Sequence, residues 1–397
     1  MDNNQDKKDK NEERHATWLE LFYDLVFVVT ISQLSHYLFH EVSLSNFFGF
    51  LFLFIPVWWS WIGTTFFATR FYSDDLGHRL LLLLQMGGAG AMAVNISGAF
   101  SNTFSGFAIS YAFMRFILIL EYIRVYKSSN IKTSISPKPL LKIYIFGFSI
   151  GALIWFISAF VTTSEIRIGL WIIGLIIDFS TPITARKLQA QYAPNISHLP
   201  ERMGLFTLIV LGESIVSIVI GMTDQQWNLY SVIVSSLGLC ISFSLWWLYF
   251  DSSGRLPIQI LIDKSNVAIY FIWLYIHFPL VVAITAVGVG IRHLISNEQY
   301  SALTASDLWL ICISVSIFLI TQCILHLISV NNSNKDGFLN RKKFVMFRIC
   351  SIIIILSIPF LFSSYGIPIV ISSLITGICG FNIAYDIKYH SNHRNKL

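Results

Sequence analysis

A chain of 397 residues that is 55% hydrophobic, only 12% charged and of mean hydropathy +0.65 cannot clothe itself in a polar shell. Water-soluble domains carry about 25% charged residues, so lipid must serve as part of the solvent here. The net charge of +5 is spread over short connectors and forms no single patch, which argues against a nucleic-acid partner.

The chain opens on a polar, lysine-rich tail, residues 1–17, with no apolar signal core or small-residue cleavage site. The first apolar segment is therefore expected to insert without being cleaved. A hydrocarbon core of about 30 Å needs roughly 20 apolar residues in a helix. That ruler predicts spans at 18–39, 47–68, 80–100, 104–126, 140–162, 168–185, 203–221, 229–250, 267–290, 306–329, 344–362 and 367–385. The sixth is interrupted by Asp178 and Pro182, and the last two are joined by a tight hairpin around 363–366. The fold class expected is an all-α polytopic transmembrane bundle of about twelve helices. Its first half covers 18–186, a cytoplasmic linker 187–202, its second half 203–385, and a cytoplasmic tail 386–397.

Lysine and arginine counts in alternate connectors set the orientation. One side receives 23 of them, including Lys7, Arg70, Arg79, Lys132, Arg202, Arg255, Lys264, Lys335 and Lys396, against Arg167 and Arg292 on the other. A miscounted span would scramble this alternation. It implies a plasma-membrane protein with both termini in the cytoplasm. There is also a hint of duplication. Glu13-Arg14 precedes a span carrying Asp24, and Glu201-Arg202 precedes one carrying Glu213. Trp58-Trp59 and Trp246-Trp247 follow those acids at nearly equal distances. Two parallel six-helix repeats, a known transporter plan, would result.

Ionisable groups at membrane depth cost roughly 2.5–3.5 kcal/mol each and point to function by default. Glu20 and Asp24 are four apart and share a helix face. Thr17-Trp18-Leu19-Glu20 is a capping-box pattern, which would occupy Glu20 with a backbone amide at the interface. Asp24, about 10 Å further along the helix, has no such local role and is read either as functional or as half of a structural ion pair. Glu213 lies near the middle of its span, one turn before Ser217, with Arg202 too far along the same helix to reach it. Asp178 lies beside a proline that frees a carbonyl, as in broken transporter helices that hold cations. Its bland alternative is a pair with Arg115, the one cation placed deep in a span. Asp24, Asp178 and Glu213 outnumber Arg115 by two, which implies bound protons or a visiting cation.

Other chemistries recede. No span contains a lysine for a retinal Schiff base, and there is no His-Glu-x-x-His, Gly-x-Ser-x-Gly or P-loop. Cys240, Cys312, Cys323, Cys350 and Cys379 are odd in number, apolar in setting and lack a Cys-x-x-Cys pair, so neither disulfide framework nor thiolate metal site is expected. His36, His277 and His326 are read as packed side chains rather than haem or metal ligands. No cofactor and no metal are expected, and with no nucleophile–base pair in view the chain is not read as an enzyme.

The run from Arg14 to Val28 (Arg-His-Ala-Thr-Trp-Leu-Glu-Leu-Phe-Tyr-Asp-Leu-Val-Phe-Val) resembles the opening signature of the bacterial low temperature requirement A family. So do Arg70-Phe71-Tyr72-Ser73-Asp74-Asp75 with Arg79 and Gln85, Met114-Arg115, and Glu201-Arg202-Met203-Gly204-Leu205-Phe206 running to Leu211-Gly212-Glu213-Ser214. The resemblance implies a polytopic membrane protein of a family named for growth in the cold, without a settled activity. It marks Glu20, Asp24, Arg70, Asp74, Asp75, Arg115, Glu201, Arg202 and Glu213 as signature positions. Phe22-Tyr23-Asp24 is also similar to the first-helix Phe-Ser-Asp motif of lysosomal-type potassium channels, but Trp18 stands where those have an arginine.

The resulting expectation is a secondary transporter or channel-like permease for a small solute or cation. Asp24, Asp178 and Glu213 would be its coupling carboxylates, Arg115 their counter-ion, and the lipid bilayer its surroundings. Arg70, Asp74, Asp75 and Arg79 would form a cytoplasmic gate, or simply a solvated turn. The alternative is a non-transporting lipid-binding or scaffold protein that supports the envelope in the cold. Oligomeric state has no sequence signal.

Overall fold

The structure is a computed structural model describing residues 15–71, 73–128, 137–189, 198–225, 227–253, 267–297, 301–329, 335–362 and 366–394. Much of the N-terminal tail, Lys132, Arg255, Lys264, Lys396 and most of the 363–366 hairpin lie outside the described residues. Those described form thirteen helices and no strand. They are α1 (Trp18–His40), α2 (Leu44–Phe71), α3 (Leu76–Asn95), α4 (Phe104–Lys127), α5 (Lys138–Ser158), α6 (Ser164–Thr184), the single turn α7 (Arg186–Gln189), α8 (His198–Asp224), α9 (Leu229–Ser253), α10 (Val267–Ser296), α11 (Ala305–Ser329), α12 (Lys335–Phe362) and α13 (Pro368–Arg394).

Each of the twelve expected spans has its helix, and eleven are long and apolar enough to cross a membrane. The exception is α3. Its 20 residues span about 30 Å at 1.5 Å per residue. Its length suffices, but His78, Arg79, Gln85 and four glycines dilute its apolar character. The starts also differ from the hydropathy ruler. A window tuned to apolar content begins the seventh span at Met203, whereas α8 begins at His198, because Pro200 is tolerated in a first helical turn where its missing N–H is not needed. Arg202, assigned to a linker from sequence, is thus helical.

The described residues fall into two compact units. One comprises residues up to Gln33 and Leu53–Phe206; the other comprises Leu34–Phe52 and the residues from Thr207 onwards. In the first, α3 to α6 pack in succession, each on the next. Gly151 of α5 and Gly174 of α6 let those helices meet closely: a Cβ on either would come within 3.6 Å of the other's carbonyl oxygen. Trp155 and Trp171 stack beside this contact at 5.0 Å, and Trp171 donates to Ser158 Oγ at 2.8 Å. The outer face of α5 carries exposed Phe146, Ile150, Leu153 and Ile157 at helical spacing, the stripe a lipid-facing helix needs. In the second unit α10 packs on α11, α11 on α12, and α9 on α13. All five cysteines are free thiols.

Candidate functional site

The first unit gathers its buried charge into a ladder between α1 and α8. Glu20 and Asp24, one turn apart, face His198 and Arg202, also one turn apart, so two i,i+4 pairs meet. Glu20 is indeed in a capping box: Thr17 N and Oγ1 donate to its Oε2 at 2.8 and 3.0 Å, and Glu20 N donates to Thr17 Oγ1 at 3.3 Å. The cap does not exhaust it. His198 Nε2 lies 3.3 Å from the same oxygen, and Arg202 Nη1 lies 3.5 Å from Oε1. Arg202 Nη2 donates to Asp24 Oδ1 at 2.6 Å, and Trp61 Nε1 donates to that oxygen at 2.7 Å. Trp61 is fixed by stacking on Phe206 at 4.0 Å. Glu20, Asp24, His198 and Arg202 are each at most 2% exposed.

A second buried group lies between α4 and α6. Arg115 Nε donates to Tyr111 Oη at 3.0 Å and lies 3.1 Å from Asp178 Oδ2, to which Tyr111 Oη also donates. The guanidinium lies over the rings of Tyr111, Trp59 and Phe148 at 5.0–5.6 Å, so cation–π attraction replaces part of its lost hydration. Glycines make the room: a Cβ on Gly63 would fall 2.9 Å from Arg115 Nη1, and one on Gly151 2.5 Å from Asp178 Oδ1. Tyr23 of α1 is within electrostatic reach of Asp24, Arg202 and Arg115 and so links the two groups.

The ladder opens at its Glu20 end on a cavity of about 490 Å³, lined by Ala16–Glu20, Asp74, His78 and Arg79. His78 Nδ1 lies 2.9 Å from Glu121 Oε1, both buried. The signature-loop residues take separate partners. Asp74 and Arg79 make an exposed bidentate pair at 2.9 and 3.0 Å. Arg70 donates to Gln189 Oε1 at 3.4 Å. Asp75 caps α3 by accepting from His78 N at 3.1 Å and is bridged by Arg124. Glu201 accepts from Ala16 N at 3.1 Å and so holds the start of α1.

The cap and Arg124 hold the Asp75 carboxyl at about 2, below its ordinary 3.8. A depressed carboxylate stabilises the fold above its unfolded pKa, and that contribution is lost as pH falls from about 4 toward 2. Asp75→Asn, which keeps a capping side chain, should therefore flatten the fall in detergent melting temperature across that window. An identical pH profile in both proteins would refute the assignment.

Two expectations from sequence need correction. Arg115 is not the one deep cation: Arg202 and Arg348 are each 1% exposed and Arg167 3%. Nor does a surplus of acid surround Arg115, because Asp178 takes Arg115 while Asp24 takes Arg202. For Arg202 the cause is that hydropathy assigned it to a linker, whereas helix α8 begins before it and buries it against α1. His198, Trp61, Tyr111, His78 and Glu121 were not singled out from sequence, and Trp59 only as a mark of duplication. The i,i+4 spacing of His198 and Arg202, mirroring that of Glu20 and Asp24, was the available signal.

Glu213 belongs to the second unit. It is 3% exposed on α8, next to Ser214, whose Oγ donates to Ile284 O at 3.3 Å. Gly288 admits this contact, since a Cβ there would lie 3.0 Å from Ser214 Cα. The same unit buries Arg348, which donates to Asn382 Oδ1 at 2.9 Å and Asp386 Oδ2 at 2.6 Å. Among the described residues no three His, Cys, Asp or Glu side chains gather as a closed metal site would require.

The profile of the bacterial low temperature requirement A protein family matches residues 15–378, which include the whole ladder and the Arg115 group. The chain belongs to that family. It is also similar to the uncharacterized protein RA0937 of Rhizobium meliloti (strain 1021), with 25% identity over 299 residues that cover 72% of this chain and 70% of the relative. The family match thus runs through both units, from the mouth of the cavity into α13.

Proposed function

We propose that this family member is a secondary transporter or channel-like permease of the plasma membrane for a small solute or cation, with both termini cytoplasmic. Asp24 is its coupling carboxylate, and neither a cofactor nor catalysis is involved. The observation that supports this reading is the row of charge leading inward from the cavity: Glu20, His198, Arg202, Asp24, then Tyr23 and the Arg115–Asp178 group. A network serving only as packing glue would have its polar atoms satisfied. Here Asp24 Oδ2, Arg202 Nε, Arg115 Nη1 and Nη2, and Asp178 Oδ1 are buried without a hydrogen-bond partner among the described residues. Buried polar atoms of this kind call for water or a passing solute. Glu213 remains a candidate coupling group of the second unit.

The test is flux in proteoliposomes of the purified chain, read as current and as uptake from a panel of small cations and neutral solutes. The parent protein should exceed empty vesicles for at least one of them. Asp24→Asn and Glu213→Gln should abolish that signal while remaining monodisperse. Flux in both variants equal to the parent's would remove the carboxylates from the mechanism, and no flux from the parent would remove the permease.

A further inference from the structure

His36 and His40 form a pair that the permease reading leaves unused. They stand one turn apart at the C-terminal end of α1. Contrary to the sequence reading of His36 as a packed side chain, both are exposed. The exposed face of α1 explains their place. It runs through Trp18, Phe22, Leu25 and Val29, an apolar stripe at helical spacing, and continues to His36 and His40. From Trp18 to His36 the helix climbs about 27 Å at 1.5 Å per residue, so the imidazoles sit where a hydrocarbon core of about 30 Å ends.

The two rings are arranged as a pair of ligands. Their Nε2 atoms lie 2.9 Å apart, with ring centroids at 4.3 Å and planes inclined at 73°. Two imidazole nitrogens, each about 2.0–2.1 Å from one ion and at right angles to each other, are also about 2.9 Å apart. Without an ion, one ring donates to the other. With one, each neutral ring keeps its hydrogen on Nδ1, both Nε2 lone pairs turn to the ion, and no proton need leave. The surroundings favour a cation. His40 ends α1, where unpaired carbonyls form the negative pole of the helix, and exposed Glu41 follows it. Arg292 comes within electrostatic reach of His36, but it is paired with Asp224 at 2.9 Å and lies over the Phe39 ring at 3.7 Å.

We propose that His36 and His40 form a binding site for one divalent transition-metal ion of the Cu2+ or Ni2+ class. Nitrogen ligands at right angles suit the tetragonal geometry of these ions, and imidazole is a ligand both accept. No third His, Cys, Asp or Glu joins the pair among the described residues, so water completes the coordination and the ion stays open to exchange. The ion bridges two successive turns and so holds the last turn of α1, whose carbonyls lack intrahelical partners. The site stands apart from the permease reading: it lies in the second unit, whereas Asp24 lies in the first.

The experiment is a Cu2+ titration of the full chain in nanodiscs, purified without a polyhistidine tag and followed by electron paramagnetic resonance. The parent should bind a Cu2+ ion whose spectrum carries splittings from two imidazole nitrogens. His36→Gln and His40→Gln change exposed side chains, so the fold should survive both. Each should leave a single nitrogen and weaken binding about 10²-fold or more, because two linked ligands gain about 10²–10⁴ over one. Ni2+ should raise the melting temperature of the parent and leave that of the His36→Gln/His40→Gln variant where it was. Cu2+ binding in this double variant equal to the parent's would put the ion on other groups and overturn the proposal. A parent spectrum split by one nitrogen, or by none, would do the same. Neither readout depends on flux, so the site and the permease stand or fall separately.

Discussion

Replacing Arg202 by methionine should cost about 3–5 kcal/mol of stability, the range for removing one partner of a buried ion pair. Methionine matches the length of the arginine stem and keeps the packing of α8, so the loss falls on charge. Without the guanidinium, Asp24 loses the cation it faces and lies one turn from Glu20, a second buried carboxylate. Arg202→Lys should recover part of the loss and no more, because an ammonium cannot present two separate nitrogens to Glu20 Oε1 and Asp24 Oδ1 as the planar fork does. Adding Asp24→Asn to Arg202→Met should recover more than Lys does, since it removes the stranded charge itself. Reversible unfolding in mixed detergent micelles, followed by helical circular dichroism, gives the comparison. If Arg202→Met unfolds with the parent, the ladder is not what joins α1 to α8.

How much of this was readable beforehand varies with the kind of pattern involved. Span number and helical class follow from local composition, so a ruler of about 20 residues found a helix for each expected span. The capping box at Thr17 and Glu20 was legible for the same reason, because its partners are three residues apart. The pairing of Arg115 with Asp178 was legible only as an alternative, since the two are 63 residues apart in sequence and nothing local favours that contact over another. Asp24 with Arg202 was not legible at all. Hydropathy averages over a window, and a polar first turn such as His198-Leu199-Pro200-Glu201-Arg202 pulls the average below the threshold although it continues the helix. The ladder was hidden because its charges cluster at the mouth of a span, where a hydropathy reading ends the span early.

Asp178→Ala should be among the most damaging substitutions in the first unit, at about 3–5 kcal/mol, and the double variant Arg115→Met/Asp178→Leu should regain most of that loss. Asp178 is 0% exposed and has two donors, Tyr111 Oη and Arg115 Nε. Its removal leaves Arg115 a full positive charge amid Trp59, Tyr111 and Phe148, and three aromatic faces at 5.0–5.6 Å offset only a fraction of the lost hydration. In the double variant no ion remains, and two flexible apolar side chains refill a site already bounded by rings and by Gly63 and Gly151. Stability and flux should then part company. If the Arg115 group is a step on the path, the double variant will be stable and inert. If it only pins α4 to α6, the double variant will be stable and active, and the path ends at Asp24. The same unfolding and proteoliposome measurements read both quantities, and a double variant as unstable as Asp178→Ala would show that Tyr111, stripped of its acceptor, rather than the stranded cation, carries the cost.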